Sequence, residues 1–365
     1  MKVLSIVGAR PNFMKIDPIL RAFDRRPGRF ESRLVHSGQH YDDAMSKIFF
    51  QELGIRQPDV YLGIGSGSHA EQTAAVMVGI EKLLIQDRPD IVLTVGDVNS
   101  TMAATISAAK LQIPVAHVEA GLRSGDRAMP EEINRLVTDA ISDLLFTPSR
   151  DGDENLLREG VAPDKIHFVG NVMIDTLLRC RDLADSSEVF KELRVAKKGY
   201  ALVTLHRPSN VDHRPSLEKL LGALDQIQQR LDVLFPIHPR TAKRIAEHGF
   251  QQRVDAMKRL KLTPPLGYVD FLALQSHAAM VLTDSGGIQE ETTVLGVPCL
   301  TLRDNTERPI TISEGTNRLV GSDPARIVKE AFDILDHPPK SGRIPEYWDG
   351  KAADRIADVL DRVIQ

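Results

Sequence analysis

Residues Asp284 to Thr292 read Asp-Ser-Gly-Gly-Ile-Gln-Glu-Glu-Thr and follow an apolar segment, Ala278 to Thr283, that reads as a buried strand. Ile288, Thr292 and Leu295 recur with helical period, which places Ser285, Gly286 and Gly287 at a helix N-terminus. Backbone N–H groups without intrahelical partners point outward there, the helix dipole favours negative charge, and two glycines let an anion approach the chain closely. A diphosphate suits such a site. Glu291 lies one turn further on, where a carboxylate can accept hydrogen bonds from a ribose diol. The plainer alternative is that Ser285 simply caps the helix.

Two cations, Arg10 and Lys15, stand in and just after the first βα loop, Gly8-Ala9-Arg10-Pro11. Phosphate oxygens would meet Arg10 as a bidentate fork and Lys15 as a point charge; surface solvation is the alternative. Asp97, Glu119, Glu131 and Glu132 are acidic residues on expected loops of the N-terminal half, and His206 is offered from the C-terminal half. Carboxylates gathered in a closed cleft repel one another and lose solvation, which raises some of their pKa values and suits them to acid and base work. Each also has a structural reading: Asp97 as a cap or turn residue, Glu131 as a first-turn carboxylate, His206 as an ordinary hydrogen-bonded histidine. No metal site is expected, because His206 and His238 are far apart in sequence and neither belongs to a helical His pair or a cysteine cluster. Gly63-Ile-Gly-Ser-Gly67 is only loosely like a dinucleotide loop and reads as a mobile loop. Arg303, Thr306, Glu307 and Arg308 form a polar knot after the expected strand Pro298 to Leu302, beside the Ser-Gly-Gly run, which favours a role in a cleft over an irregular surface loop.

The elements that must position these groups are short apolar runs alternating with amphipathic stretches. Val3 to Val7 precedes a helix after Asn12, Ser32 to Val35 a helix from Asp42, and Ile91 to Thr94 a helix from Ser100; Val115 to Val118, Asp143 to Thr147 and Ile166 to Val169 continue the series. After a charge-rich stretch, Arg181 to Lys198, the pattern restarts with Tyr200 to Thr204, Val233 to Pro236, Ala279 to Thr283 and Pro298 to Leu302. Buried strands alternating with helices imply parallel sheets covered on both faces, hence an α/β protein with two Rossmann-like domains. We place the first at 1–169 and the second at 170–350, divided near Gly170-Asn171, with a last helix from Lys351 to Ile364 packing back on the first domain. Arg10, Asp97, Glu119, His206, His238 and Ser285 each follow an expected strand. Ligands bind beyond strand carboxyl ends in open α/β sheets, so this distribution predicts a cleft to which both domains contribute.

The chain has 365 residues and a net charge of -4, which gives no sign of a general affinity for nucleic acid or an anionic membrane. Its 2 cysteines argue against a disulfide framework. No apolar run approaches the roughly 20 residues needed to span a bilayer, and the N-terminus enters a strand without signal-peptide features, so a cytoplasmic protein is expected.

With those residues in hand, the chain resembles the non-hydrolysing UDP-N-acetylglucosamine 2-epimerases over essentially its full length. The matching segments are Gly8-Ala-Arg-Pro with Lys15, Gly38-Gln-His40, Gly96-Asp97, His117-Val-Glu-Ala-Gly-Leu-Arg123, Pro130-Glu-Glu with Asn134-Arg135, Gly170-Asn171, Thr204-Leu-His-Arg207, Asp284 to Glu291, and Thr306-Glu-Arg-Pro309 with Gly315-Thr316. The resemblance implies a glycosyltransferase-B-like architecture with an interdomain cleft, a homodimer, and reversible inversion at C2 of a UDP-N-acetylhexosamine without NAD, other cofactor or metal. It also implies that Asp97, Glu119, Glu131 and His206 are catalytic. Arg10, Lys15, Ser285, Gly286 and Gly287 would then bind the diphosphate and Glu291 the ribose. Phe271 with Leu266 and Tyr268 would hold the uracil, and Arg135 and Arg308 would be further substrate-binding residues.

The chain departs from bacterial relatives at Pro208-Ser209, Pro239-Arg240, Glu71 and Asp42, positions tied to a second, activating substrate site, so weak or absent substrate activation is expected. The loop Gly125 to Pro130 is short, which leaves a modified hexosamine open as substrate. The rival readings are a hydrolysing epimerase, a glycosyltransferase sharing the fold, and a catalytically silent nucleotide-sugar sensor.

Overall fold

The computed structural model describes residues 1–38, 53–65, 67–338 and 342–363, without the side chain of Arg10. Gln39, His40, Asp42 and the helix expected from it, Ser66, and Pro339 to Ser341 lie outside the described residues. The chain divides into two compact units, 1–179 with 346–365, and 180–345.

In the first unit the described strands are β1 (Lys2–Val7), β2 (Glu31–His36), β3 (Val60–Tyr61), β4 (Ile91–Val95), β5 (Val115–Val118), β6 (Leu144–Thr147) and β7 (Ile166–Phe168). They form one parallel sheet in the order β3-β2-β1-β4-β5-β6-β7. The central strands β4, β5 and β6 are buried at every residue, as unalternating apolar runs require. The order reverses between β1 and β4. Loops leaving these neighbouring strands diverge to opposite faces and open a crevice at their carboxyl ends. Gly8 to Lys15 follows β1, Gly96-Asp97 follows β4, and Glu119 follows β5 next door.

The second unit repeats the plan with β8 (Tyr200–Thr204), β9 (Asp232–Pro236), β10 (Leu260–Thr263), β11 (Met280–Thr283), β12 (Cys299–Thr301) and β13 (Asn317–Leu319). Their order is β10-β9-β8-β11-β12-β13, again all parallel. The reversal falls between β8 and β11, which end next to His206 and Asp284. Val203, Leu220, Leu224, Val233, Leu282 and Leu300 belong to the core beneath them.

The division between units falls after Arg179, inside helix Val172–Asp185. The first half of that helix is fastened within the first unit: the Thr176 hydroxyl donates to Met14 O at 2.6 Å, and Asp175 accepts the N–H groups of Ala352 and Ala353 at 3.2 and 2.8 Å. The chain rejoins this unit at Glu346, before the last helix Ala352–Val363 begins. Trp348 is buried there and donates to Pro148 O at 2.9 Å. Ile356 and Leu360 are fully buried, at roughly 1.5–3 kcal/mol each. That outweighs the largely exposed pairs of Arg25 and Arg26 with Asp354, and of Arg29 with Asp361. Among the described residues no helix is long and apolar enough to cross a membrane.

Candidate active site

Helix Arg10–Asp24 begins directly after β1, with Pro11 in its first turn, where a missing N–H costs nothing. Arg10 opens it; its side chain lies outside the described residues. Lys15, one turn later, is buried and its Nζ forms an ion pair with Glu119 Oε2. Glu119 has φ +74°, a left-handed conformation that costs a non-glycine residue about 1–3 kcal/mol and persists only where its surroundings impose it. Here they do: the N–H groups of Glu119 and Ala120 both donate to Phe146 O at 3.0 Å, and Gly121 N donates to Asp139 at 3.0 Å.

Asp97 is half-buried beyond β4 and accepts a 2.5 Å hydrogen bond from Arg135 Nη1. Between the two carboxylate loops sits Gly96, with φ +69°. A Cβ there would lie 3.0 Å from Lys15 Nζ and 3.4 Å from Glu119 Oε2, so glycine is what lets the backbone touch this pair. Lys15, Asp97, Glu119 and Arg135 therefore share one patch. Glu131 and Glu132 are not on a loop but in the first turn of helix Pro130–Ile141. Glu131 is half-buried and one turn from Arg135 on the same helix. Glu132 is buried and accepts Arg135 Nη2 at 2.6 Å, Ser124 N at 3.0 Å and Gly125 N at 2.9 Å. Burial alone would push its carboxyl up, yet these donors hold it below the ordinary range.

In the second unit, Asp284 is fully buried at the end of β11 and gathers the loop after β8. It accepts His206 N at 3.0 Å, Arg207 N at 2.9 Å and Asn210 Nδ2 at 3.1 Å, and lies 2.9 Å from His206 Nδ1. Burial acts to raise its pKa, but the imidazole and the two backbone donors keep it below the usual carboxylate value. An ionised carboxylate only accepts, so Nδ1 of His206 donates to it. The ring is partly exposed, 5.9 Å from that of His238, whose pKa is lowered by burial and by His206.

Helix Gly286–Leu295 starts at Ser285, whose side chain makes no capping bond. Its backbone N–H is taken by Thr283 Oγ1 at 3.0 Å. Arg308 is buried against the first turn: a Cβ on Gly286 would lie 2.8 Å from its Cζ. Glu290 at 2.7 Å and Glu307 hold the guanidinium, and Glu307 also accepts Arg303 Nη2 at 2.8 Å. The open backbone donors of this first turn thus lie beside a guanidinium that Glu290 and Glu307 already pair. Glu291, buried further along, accepts the Tyr268 hydroxyl at 2.9 Å, and burial pushes its carboxyl up to about 7. Tyr268 opens helix Tyr268–Ser276, which also carries Phe271; both are half-buried, as is Leu266 just ahead of them.

The family profile described as UDP-N-acetylglucosamine 2-epimerase matches residues 21–361. This chain belongs to that family. It is 43% identical to the UDP-N-acetylglucosamine 2-epimerase of Methanocaldococcus jannaschii over 99% of each chain. It is 39% identical, over the full length of both, to the UDP-2,3-diacetamido-2,3-dideoxy-D-glucuronate 2-epimerase of Pseudomonas aeruginosa. The crystal structure of the Methanocaldococcus jannaschii enzyme in complex with UDP-GlcNAc and UDP has a similar fold, with a TM-score of 0.92 over 99% of each chain. The two-domain α/β, glycosyltransferase-B-like architecture of this 2-epimerase family is thus also that of this chain.

Within that frame three residues that sequence reasoning left without a role become legible. Asp284 orients His206, and it stood in plain view at the head of the Ser-Gly-Gly run. His117 and Asp139 form a fully buried pair at 2.6 Å, for which only the position of His117 two residues before Glu119 gave a sign. Of the family departures, Glu71 is spent on its own helix, closing a capping box with Ser68, and Arg240 pairs with Asp212 at 2.5 Å.

Proposed function

We propose that this enzyme catalyses the reversible, non-hydrolysing epimerisation of UDP-N-acetylglucosamine to UDP-N-acetylmannosamine, working without a cofactor, in the cytoplasm and as a homodimer. A hydrogen on C2 has no adjacent carbonyl to acidify it, so UDP must leave first. The C1–O bond breaks with its electron pair going to the diphosphate, a carboxylate takes the C2 proton, and the C–H pair becomes the C1=C2 bond of a 2-acetamidoglucal. A proton delivered to the opposite face and return of the diphosphate to C1 give the epimer. Two acid/base groups and a cationic hold on the diphosphate are required.

The observation that carries this reading is the placement of Asp97 and Glu119 on adjacent strand ends, each paired with a cation. On this reading Asp97, Glu119 and Glu131 serve the two faces of C2, with His206 assisting. Ser285, Gly286, Gly287, Arg308, Arg10 and Lys15 hold the diphosphate, Arg135 orients Asp97, and Glu291 holds the ribose. Leu266, Tyr268 and Phe271 line the uracil. The test is incubation with UDP-N-acetylglucosamine in deuterated water followed by NMR. Deuterium at C2 with UDP still attached is expected; free sugar with UDP would mean hydrolysis, and an unchanged donor would leave only transfer or sensing.

A second substrate reading has its own support in the 39% identity to a 2-epimerase of a diacetamido glucuronate. The loop after Ser124 is short and pinned by Glu132. The same experiment with that sugar nucleotide decides it: faster exchange there than with UDP-N-acetylglucosamine would make a modified hexosamine the substrate.

A further inference from the structure

His117 is completely buried on β5, beside Thr94 of β4, and so cannot touch a ligand. Its two ring nitrogens are nonetheless both engaged. Nδ1 lies 2.6 Å from Asp139 Oδ1 and Nε2 lies 2.8 Å from the carbonyl oxygen of Gly96. A carbonyl only accepts, so Nε2 donates to it. Asp139 is surrounded by donors on its other oxygen, Arg123 Nη1 at 2.7 Å and Gly121 N at 3.0 Å. Although its burial works in the other direction, His117, the Arg123 charge and the Gly121 N–H hold its pKa below the ordinary value, so it too accepts.

The geometry of the two bonds is what matters. Gly96 is held on both sides of its Cα, its N–H by Val118 O at 3.1 Å and its carbonyl by His117. That carbonyl belongs to the peptide joining Gly96 to Asp97, so its plane fixes the direction in which Asp97 leaves β4. Asp139, on the other side of the ring, takes the N–H of Gly121 and thereby secures the left-handed turn that presents Glu119. One buried ring thus links the loops bearing the two carboxylates.

We propose that His117 is a positioning residue for the epimerisation, holding Asp97 and Glu119 in mutual register through Gly96 and Asp139. This rests on the epimerase reading above. Side chains that orient catalytic groups without touching substrate affect turnover rather than affinity, since a displacement of about 1 Å can cost about 100-fold in rate.

Two variants divide the ring's functions. His117→Asn places its amide nitrogen where Nδ1 stood, keeping the Asp139 bond and losing the Gly96 bond; His117→Gln reaches Gly96 from the Nε2 position. We expect H117N to fold, to bind UDP within about 2-fold of the native enzyme and to keep its KM within about 3-fold, while kcat for C2 deuterium exchange falls about 10- to 100-fold. H117Q keeps the Gly96 bond and breaks only the link to Asp139, which Gly121 and Arg123 still hold, so it should lose less than H117N. The proposal is overturned by H117N turning over within about 3-fold of native, by H117Q falling as far as H117N, or by both variants losing native circular dichroism and melting, which would make the residue one of stability alone. A native enzyme that places no deuterium on C2 would defeat the epimerase reading itself, independently of either variant.

Discussion

Replacing Glu291 by glutamine should change how both stability and UDP affinity respond to pH. In the folded protein burial lifts this carboxyl from 4.5 to about 7, a gap worth roughly 3 kcal/mol between its two protonation states. Between those values the native state holds a proton that the unfolded chain has released. The contribution to stability is therefore full below about pH 4.5, declines as pH rises, and is gone above about pH 7. Glutamine has nothing to release and can still accept the Tyr268 hydroxyl. E291Q should therefore melt higher than the native protein at pH 8, by up to about 10 °C, and the advantage should vanish by pH 5. Ribose hydroxyls donating to Glu291 favour its ionised form, so UDP binding at pH 7 should expel about half a proton from this group, and its affinity should gain roughly 10-fold between pH 6 and pH 8. Calorimetry in two buffers of different ionisation enthalpy reads both quantities, and the variant subtracts the diphosphate's own titration. If E291Q shows the same pH dependence as the native protein in melting and in UDP affinity, Glu291 is neither the desolvated acid nor the ribose acceptor described here.

The other predictions take residues of each unit in turn. Gly286→Ala puts a methyl 2.8 Å from both Arg308 Cζ and Glu307 Oε1; the overpacking should cost roughly 1–3 kcal/mol and weaken UDP binding about 10- to 100-fold, measured by calorimetry and melting, and unchanged affinity would remove the diphosphate from this helix. Glu119→Gln removes a proton acceptor and leaves Lys15 without its charged partner, so C2 deuterium exchange should fall about 100- to 10,000-fold with a lowered melting temperature; exchange within about 3-fold of native would exclude Glu119 as a base. With Glu71 committed to its capping box and Arg240 to Asp212, initial rates should rise hyperbolically with UDP-N-acetylglucosamine, and a sigmoidal curve would show that substrate activation persists.

Much of the fold was legible because central strands of a parallel sheet are buried on both faces. They must read as near-continuous apolar runs, as Ile91–Val95 and Met280–Thr283 do with one threonine each. Strands β3, β10 and β13 escaped notice for the converse reason: they are edge strands of 2 to 4 residues, only partly buried, and mix in residues such as Lys261 and Arg318. The sheet-edge position that hides them exists only once the other strands have paired.

The amino-acid order alone determined which residues stand at strand ends and that Ser285, Gly286 and Gly287 open a helix, because both follow from local periodicity and from what glycine permits. Tertiary structure decided who meets whom. Strand order brought Glu119 to Lys15, His117 to Asp139 and Asp284 to His206, across separations of 104, 22 and 78 residues. Local preferences carry no information about such distances. A charge in the interior finds its partner through the crossover topology, and that topology is settled only when the whole sheet buries its two faces.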